Sequence, residues 1–526
     1  MTLPAANISF KVFANLYKDS VSLMQIGAKL RLLEGVEQAS CVMATPANLA
    51  QLQDAGLAID VQVSPSDLMV VVRGEPAACD AAIDAAAAAL QSTGSGGDGG
   101  GAGAAAFSMP LTSLALGVQR EAGANLALIS VPGDYAAAEA MKALALGLHV
   151  MLFSDNVSLA DERSIKRAAR DKGLLVMGPD CGTAIVNGIP LGFANVVRRG
   201  DIGLVAASGT GLQEVTCRIH NLGGGISQAL GTGGRDLKEE IGGITMLQGL
   251  AALAEDEATR IIVLVSKPPA PGIAQQILDA AAASGKPTVV HFLGAKAEQM
   301  RQGALHAAAS LRHAGDLAVA LSMGLPPTAW PGAEASAAGD AVPTWLARMA
   351  PGQHAVRALF TGGTFCYEAQ LAFIARGLAC SSNAEAKGAQ HFDGRWQGHV
   401  LLDLGDDDYT RGRPHPMIDP TLRNELVRAQ GADATVAAIL FDVVLGYGAH
   451  ADPAHELAEA LAAAKATAQA QGRTLALIGH VCGTDADPQN KAAQIAALQA
   501  AGAYIAGSNI EAAEIAAELA VRLARP

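Results

Sequence analysis

The stretch IGLVAASGTGLQEVTCRI (Ile202–Ile219) decides the fold of this chain. Ile202–Ala207 is short and apolar, the composition of a strand buried on both faces, and such strands belong to parallel sheets. Ser208–Gly211 is a turn of glycine and hydroxyl residues, and a helical pattern follows it. A second stretch of the same kind, RALFTGGTFCYEAQLAFIA (Arg357–Ala375), places Gly362, Gly363 and Thr364 between a strand and a helix. In open parallel sheets, ligands gather beyond the carboxyl ends of the strands. Glycine lets backbone amides approach an anion there, hydroxyls add donors, and the helix dipole favours negative charge. Ser208, Gly209, Thr210, Gly362, Gly363 and Thr364 are therefore candidate phosphate-binding residues, able to grip one phosphoryl group from opposite sides. An ordinary capped turn is the competing reading. Neither turn contains G-x-x-x-x-G-K-[ST], so a nucleotide P-loop is not supported.

Working outward, the same rhythm of β-rich runs and Ala-rich helical stretches fills most of the chain and predicts an α/β, multidomain protein. Leu126–Pro132, His149–Asp155, Leu174–Asp180, Ile261–Lys267 and Pro287–Gly294 read as strands around the first turn. Val356–Gly363, His399–Asp406, Val436–Gly446, Thr474–Gly483 and Ala503–Ser508 read as strands around the second. The run STGSGGDGGGAGAAA (Ser92–Ala106) has the composition of flexible coil and sets off a small α/β unit at 1–91. Within it, Ile8–Ala14, Gln38–Thr45 and Asp67–Gly74 read as strands, and Ser22–Leu33, Pro46–Asp54 and Ala77–Leu90 as helices. A Pro- and Ala-rich stretch within 325–350 reads as a second linker. The expected units are thus 1–91, 107–199, 200–324 and 351–526.

The 526 residues rule out one compact domain. Charge is 37 basic against 50 acidic residues, a net -13, which disfavours nucleic acid as a partner. Cys41, Cys79, Cys181, Cys217, Cys366, Cys380 and Cys482 are scattered, odd in number and lack a C-x-x-C pair, as in a reduced cytoplasmic compartment. No uncharged apolar run is long enough to span a bilayer, and the amino terminus lacks the pattern of a secretory signal.

Other loops carry candidates beside bland readings. Arg235 and Asp236 in QALGTGGRDL suit two-point binding of a carboxylate or carbamoyl group, or a solvated turn. Lys267 ends a buried strand, where a lysine meets a ligand or solvent. Asp403, Asp406, Asp407 and Asp408 precede Arg411, Arg413 and His415, a cluster suited to Mg²⁺ and an anion or to surface salt bridges; its spacing matches no metal loop. His450, beyond the strand that holds Asp442, is a candidate proton carrier or a turn residue. Cys181 lies in a strand-end loop with no histidine assignable to it, as a bystander thiol would.

The strings MGPDCGTAIVNGIPLGFANV, VAASGTG, GTGGRDL, VSKPPAP, LFTGGT and DLGDDDYTRGRPHPMIDPTLRNEL together resemble FdrA proteins over nearly the whole chain. FdrA proteins are similar to succinyl-CoA synthetase. The resemblance implies a Rossmann-like, CoA-binding-like domain at 107–199 and two flavodoxin-like ligase domains, fused so that both phosphate-gripping halves lie in one chain. It places GPDCGT after the Rossmann-like unit, which makes Asp180 and Cys181 candidate substrate contacts. Two features depart from the synthetase pattern. The phosphorylated histidine of a Gly-His-Ala-Gly loop is replaced by AEQMRQGALHAAAS, with His306, and its supporting acid by Ser266 and Lys267. A Gly-rich CoA-phosphate loop is not evident in Ala14–Met24.

FdrA-type proteins are also associated with ureide catabolism as a subunit of oxamate carbamoyltransferase, which converts oxalurate and phosphate to oxamate and carbamoyl phosphate. The resemblance therefore implies carbamoyl or acyl transfer to phosphate. Ser208–Thr210 and Gly362–Thr364 would hold the phosphate. Arg235, Asp236, Arg413, Asp180 and Cys181 would bind substrate, and His415, His450 and Lys267 would be catalytic. No metal or cofactor is required; CoA, ATP or Mg²⁺ enters only under the alternative of a nucleotide-dependent acyl-CoA synthetase with phosphorylated His306. A non-catalytic, anion-sensing scaffold is the third reading. Expected partners are a small carboxylate or ureide, phosphate, and further subunits of a homo- or hetero-oligomer, without nucleic acid or membrane.

Overall fold

The computed structural model describes residues 7–16, 18, 20–59, 61–92, 111–301, 303–326, 341–410 and 413–524. Most of the Gly/Ser seam and residues 327–340 of the second expected linker lie outside the described residues. Part of that linker is helix Ala341–Leu346, which buries Val342. The chain divides into two units: Met1–Ala124 with Ser130–Pro132 and Asp407–Asp419, and the remainder.

In the first unit, strands Asn7–Phe13, Val36–Met43 and Leu68–Gly74 form an antiparallel sheet with the third strand in the middle. The central strand reads LMVVV because both of its faces are covered. Leu68, Val70 and Val72 pack with Leu23, Ile26 and Leu30 of helix Ser20–Arg31 and with Ile83 and Leu90 of helix Pro76–Ser92. Met69 and Val71 pack on the other face with Leu52 and Leu57. The side-chain alternation of a strand produces this division. Arg31 pairs with Asp419 in the same unit.

The second unit holds three sheets. Leu126–Ile129, His149–Leu152 and Val176–Met177 form a three-stranded parallel sheet, in that order. A seven-stranded sheet follows, ordered Leu305–Ala307, Thr288–Phe292, Ile261–Ser266, Arg199–Ala207, Ile226–Gly231, Thr183–Val186, Ile189–Gly192. The hairpin Thr183–Gly192 joins this sheet as its antiparallel edge through Ile185 and Ala229, so the sheet starts before the expected boundary at residue 200. The other seven-stranded sheet is ordered Gln390–His391, Cys380–Ser382, His399–Asp403, Ala355–Phe360, Val436–Val444, Ala476–Cys482, Tyr504–Ala506.

These two large sheets repeat one plan. Strand Arg199–Ala207 leads into helix Gly209–Asn221, as Ala355–Phe360 leads into helix Gly363–Ala375. Each of these strands is followed, on one side, by three parallel neighbours in chain order. Each half closes with a helix capped by a serine: Ser310 for Leu311–Ser322 and Ser508 for Asn509–Leu523. A histidine stands on the corresponding strand of each half, His291 and His480, and each bonds through Nδ1 to a carbonyl of the next strand segment.

Candidate active site

The two sequence-identified turns meet. Ser208 Oγ and Thr364 Oγ1 are hydrogen-bonded at 2.6 Å, although they lie 156 residues apart in the chain. Ser208 caps its own helix by accepting from Gly211 N, and a cap of this kind stabilises a helix by about 1 kcal/mol. A Cβ at Gly211 would stand 3.2 Å from the Thr364 methyl, and one at Gly362 would stand 3.0 Å from Thr210 Oγ1. Glycine at these positions is what allows two helix starts to approach so closely. The hydroxyls of Ser208 and Thr364 are in direct contact and leave no gap between them for a phosphoryl group gripped from opposite sides; beside the pair, Gly209 is exposed and Gly363 half-buried.

Two carboxylates stand at the start of helix Gly363–Ala375. Asp442 is fully buried and accepts from Thr361 N (2.7 Å), Thr361 Oγ1 (2.9 Å) and Gly362 N (2.9 Å). It thereby holds the turn in shape at the helix start, where amides lack partners within the helix. Burial raises the Asp442 acid, and Arg423, itself buried, opposes that from 3.6 Å. Asp403 lies against Gly363, where any Cβ would collide with its carboxylate. Burial pushes Asp403 up to about 6, while the nearby Lys267 ammonium acts in the opposite direction. Lys267 belongs to the other half of the unit and is half-buried at its strand tip.

A further pair of acids lies behind the turns. Glu214, six residues after Ser208, bonds His480 at 2.8 Å across the two halves. Both partners of His480, the Glu214 carboxylate and the Ala506 carbonyl, can only accept, so both ring nitrogens must donate and the ring is an imidazolium. Burial opposes ionisation of each partner, yet Glu214 is held below its ordinary value and His480 above it by their mutual attraction. Glu368, six residues after Gly362, instead accepts from Leu311 N (3.0 Å) and Asn509 Nδ2 (2.9 Å). Sequence reasoning passed over these residues. The signal was the common offset of a glutamate in SGTGLQE and GGTFCYE.

The remaining candidates fall elsewhere. Arg235 bonds Val157 O at 2.8 Å and Glu162 at 2.9 Å. Asp236 is fully buried, pairs with Lys166 at 2.7 Å and accepts from Thr245 N and Met246 N. Both are engaged in a network that ties the loop to helix Leu159–Asp171. Cys181 donates to the carbonyls of Thr183 and Gly231, and burial pushes its thiol up to about 12, the state of a neutral bystander. Asp180 is exposed in a left-handed backbone conformation. His450 accepts from Asp452 N and lies 3.6 Å from Glu456. Arg413 and His415 belong to the first unit; Arg413 is exposed, and His415 is held down to about 4 by burial, a neutral imidazole at ordinary pH.

His306 lies in the outermost strand of its sheet, in register with Val289, Val263 and Leu204 of successive neighbours. Three strand spacings sideways and four residues along the strand separate it from Ser208, roughly 15–20 Å. A phosphoryl group on His306 would stand well away from the facing turns.

Comparisons with known proteins agree with this architecture. A CoA-ligase family model matches residues 359–519, a CoA-binding-domain model residues 197–294, and a model described as "AllF, heavy metal-associated domain" residues 6–106. The CoA-binding match thus falls on the sheet of the first turn rather than on 107–199. The chain is 41% identical to the uncharacterized protein YahF of Escherichia coli over 97% of its own length and 98% of that protein's. It is 30% identical to a succinate–CoA ligase [ADP-forming] subunit alpha 2 of Archaeoglobus fulgidus, over 28% of this chain and 52% of that subunit. Among solved structures, an acetyl-coenzyme A synthetase of Ca. Korarchaeum cryptofilum aligns with 76% of this chain and 83% of its own, at 15% identity and TM-score 0.31.

Two groups suggested by these names can be tested on the residues present. Among the described residues no three or more His, Cys, Asp or Glu side chains could hold a metal ion, and Cys41 and Cys79 of the amino-terminal unit are buried in its core. The described residues of that unit thus offer no such cluster. A CoA pyrophosphate needs an open glycine turn and positive charge. At the start of helix Gly133–Ala145, the space beside Gly133 is filled by the carbonyls of Asp155 and Asn156, and Asp134 follows, so this turn does not fit a CoA phosphate. Among the described residues no helix is long and apolar enough to cross a membrane.

Proposed function

Because the chain belongs to the YahF family, a succinyl-CoA synthetase-like FdrA/AllF group with CoA-binding and ligase-type domains, we propose that it is an enzyme that transfers a carbamoyl or related acyl group to phosphate. The observation that carries this reading is the seam between Ser208 and Thr364, where two helix starts converge. Two converging dipoles of like sign repel each other, and a dianion over the seam relieves that repulsion.

In the proposed reaction a phosphate oxygen attacks the carbamoyl carbon of a ureide such as oxalurate. A C–O bond forms, the C–N bond breaks, and the proton leaving the phosphate ends on the departing nitrogen. Ser208, Thr364 and the first amides of the two helices hold the phosphate in place. Lys267 counters the negative charge that grows on the carbonyl oxygen. Asp403, an acid near 6 beside Gly363, is placed to relay the proton. The reaction needs neither phosphohistidine nor CoA.

A nucleotide-dependent acyl-CoA synthetase is the second reading, favoured by the CoA-ligase and CoA-binding matches. The position of His306 weighs against the phosphohistidine form of that reading. Incubating the purified chain with oxalurate and phosphate, and separately with ATP, CoA and a carboxylic acid, discriminates between the two. Phosphate-dependent formation of carbamoyl phosphate without nucleotide supports the proposal. Its absence, together with labelling of the protein by ATP and formation of acyl-CoA, would replace it with the ligase.

A further inference from the structure

The repeated plan of the two halves puts a buried glutamate at the same place behind each turn, but only one of them has a cation. Glu214 is paired with the His480 imidazolium, whereas Glu368 is bonded, among the described residues, only by the Leu311 amide and the Asn509 side chain. The histidine of the other half, His291, does not supply the missing charge: burial holds it down to about 4, and its Nε2 is buried with no partner among the described residues.

Asn509 has an incomplete set of bonds. Its Nδ2 donates both to Glu368 and to Phe365 O, a carbonyl in the first turn of the phosphate helix, while its Oδ1 is buried without a donor among the described residues. Turning the amide over would offer Oδ1 to a protonated Glu368 and would replace the bond to Phe365 O by a contact between two acceptor oxygens, loosening that carbonyl. The Leu311 amide could still bond the other carboxyl oxygen. Both protonation states of Glu368 therefore have a hydrogen-bonded arrangement, and they differ in what holds the first turn of the helix.

Glu368 stands five residues along the helix from Gly363, about 7.5 Å of axial rise. A dianion over the seam would face this carboxylate through the protein interior, where like charges disfavour each other's ionisation. Burial has already pushed Glu368 up to about 7, against its bonds to Asn509 and Leu311. The other titratable groups acting on it are Glu214 and His480, and Lys491 acts on both of those.

We propose that anion binding at the facing turns is coupled to uptake of a proton by Glu368, with the Asn509 amide turning over to accept its hydrogen bond. The proton comes from solvent, and Glu368 acts as a positioning residue for the helix start without touching the ligand. This coupling rests on the phosphate reading above.

Sulfate is the appropriate probe, since it remains a dianion across the working range. The full chain is titrated with sodium sulfate by calorimetry, in buffers of different ionisation enthalpy, between pH 6 and 9. The expected result is uptake of about half a proton or more near pH 7.5, declining towards pH 6, where Glu368 already carries its proton. Glu368→Gln should bind sulfate with most of that uptake gone. Sulfate binding without uptake overturns the coupling and leaves the phosphate reading intact. Uptake that is unchanged in Glu368→Gln, or that peaks near pH 6, assigns the proton to Asp403 and likewise overturns it. If that variant does not fold, the pH dependence of the wild-type uptake still decides. Absence of sulfate binding would overturn both the coupling and the reading beneath it.

Discussion

The two halves of the second unit share a strand–turn–helix plan, a serine-capped closing helix and a strand histidine, yet they balance charge differently. In one half Glu214 is hydrogen-bonded to His480 from the other; in its counterpart Glu368 is hydrogen-bonded, among the described residues, by neutral donors, and the His480 charge acts on it without a bond. The first turn is open around Gly209, where an added Cβ would meet only Thr183 Oγ1 at 3.9 Å. The second is braced by Asp442 and Asp403. A repeated architecture thus places an ion pair behind one turn and a carboxyl held by neutral donors behind the other.

The largest expected effect tests the charge difference. Glu214→Ala leaves a buried imidazolium without its partner and should destabilise the unit by about 3–5 kcal/mol in urea unfolding. Glu368→Ala strands only neutral donors and should cost about 1–3 kcal/mol. Equal losses would break the comparison.

Next in size is the pH dependence of stability. Glu368 is raised from 4.5 to about 7, so the folded state binds more protons than the unfolded one across that interval. Stability should therefore fall as pH rises from 4.5 to 7, by about 3 kcal/mol for this group. His480 is raised as well, so its contribution is present below 6.5 and is lost as pH rises through its folded value. Glu214 is lowered, so its contribution is present above 4.5 and is lost on acidification. Glu368→Gln should flatten the decline between 4.5 and 7. An unchanged curve would show that Glu368 does not titrate there.

The turns themselves should respond unequally. Gly363→Ala forces a methyl into the Asp403 carboxylate and should cost about 1–3 kcal/mol and abolish phosphate-dependent turnover. Gly209→Ala meets open space at a helix start and should change stability by no more than about 1 kcal/mol. Thermal unfolding of both variants checks the contrast. The smallest effect is at Lys267: Lys267→Met should weaken phosphate binding about tenfold, or about 1.4 kcal/mol, and push Asp403 above its present value near 6.

Much of this was legible in the residues. Short apolar strands such as IIVLVS and the glycine turns at Ser208 and Gly362 announce a parallel sheet and anion-ready helix starts, since those depend on local composition. The two turns, expected from their likeness to face each other across one anion, instead meet in a direct 2.6 Å contact that leaves no gap between their hydroxyls. What local reading missed arises from partners distant in the chain. Arg235 and Asp236 look like ligand residues until Glu162 and Lys166 are brought to them by a helix some 70 residues earlier. Asp442 reads as a buried strand residue until it is seen to bond the turn at Thr361, 81 residues away. His480 gave no signal of its own, because its role depends on a carboxylate 266 residues away.

Equilibrium dialysis with labelled phosphate tests the seam most directly, comparing the wild-type chain with Ser208→Ala, Thr364→Val and the double variant. One phosphate should bind per chain, each single variant should weaken it about tenfold or more, and the double variant should lose less than the product of the two, as expected for hydroxyls that act on one ligand. Binding that survives both substitutions unchanged would contradict the account.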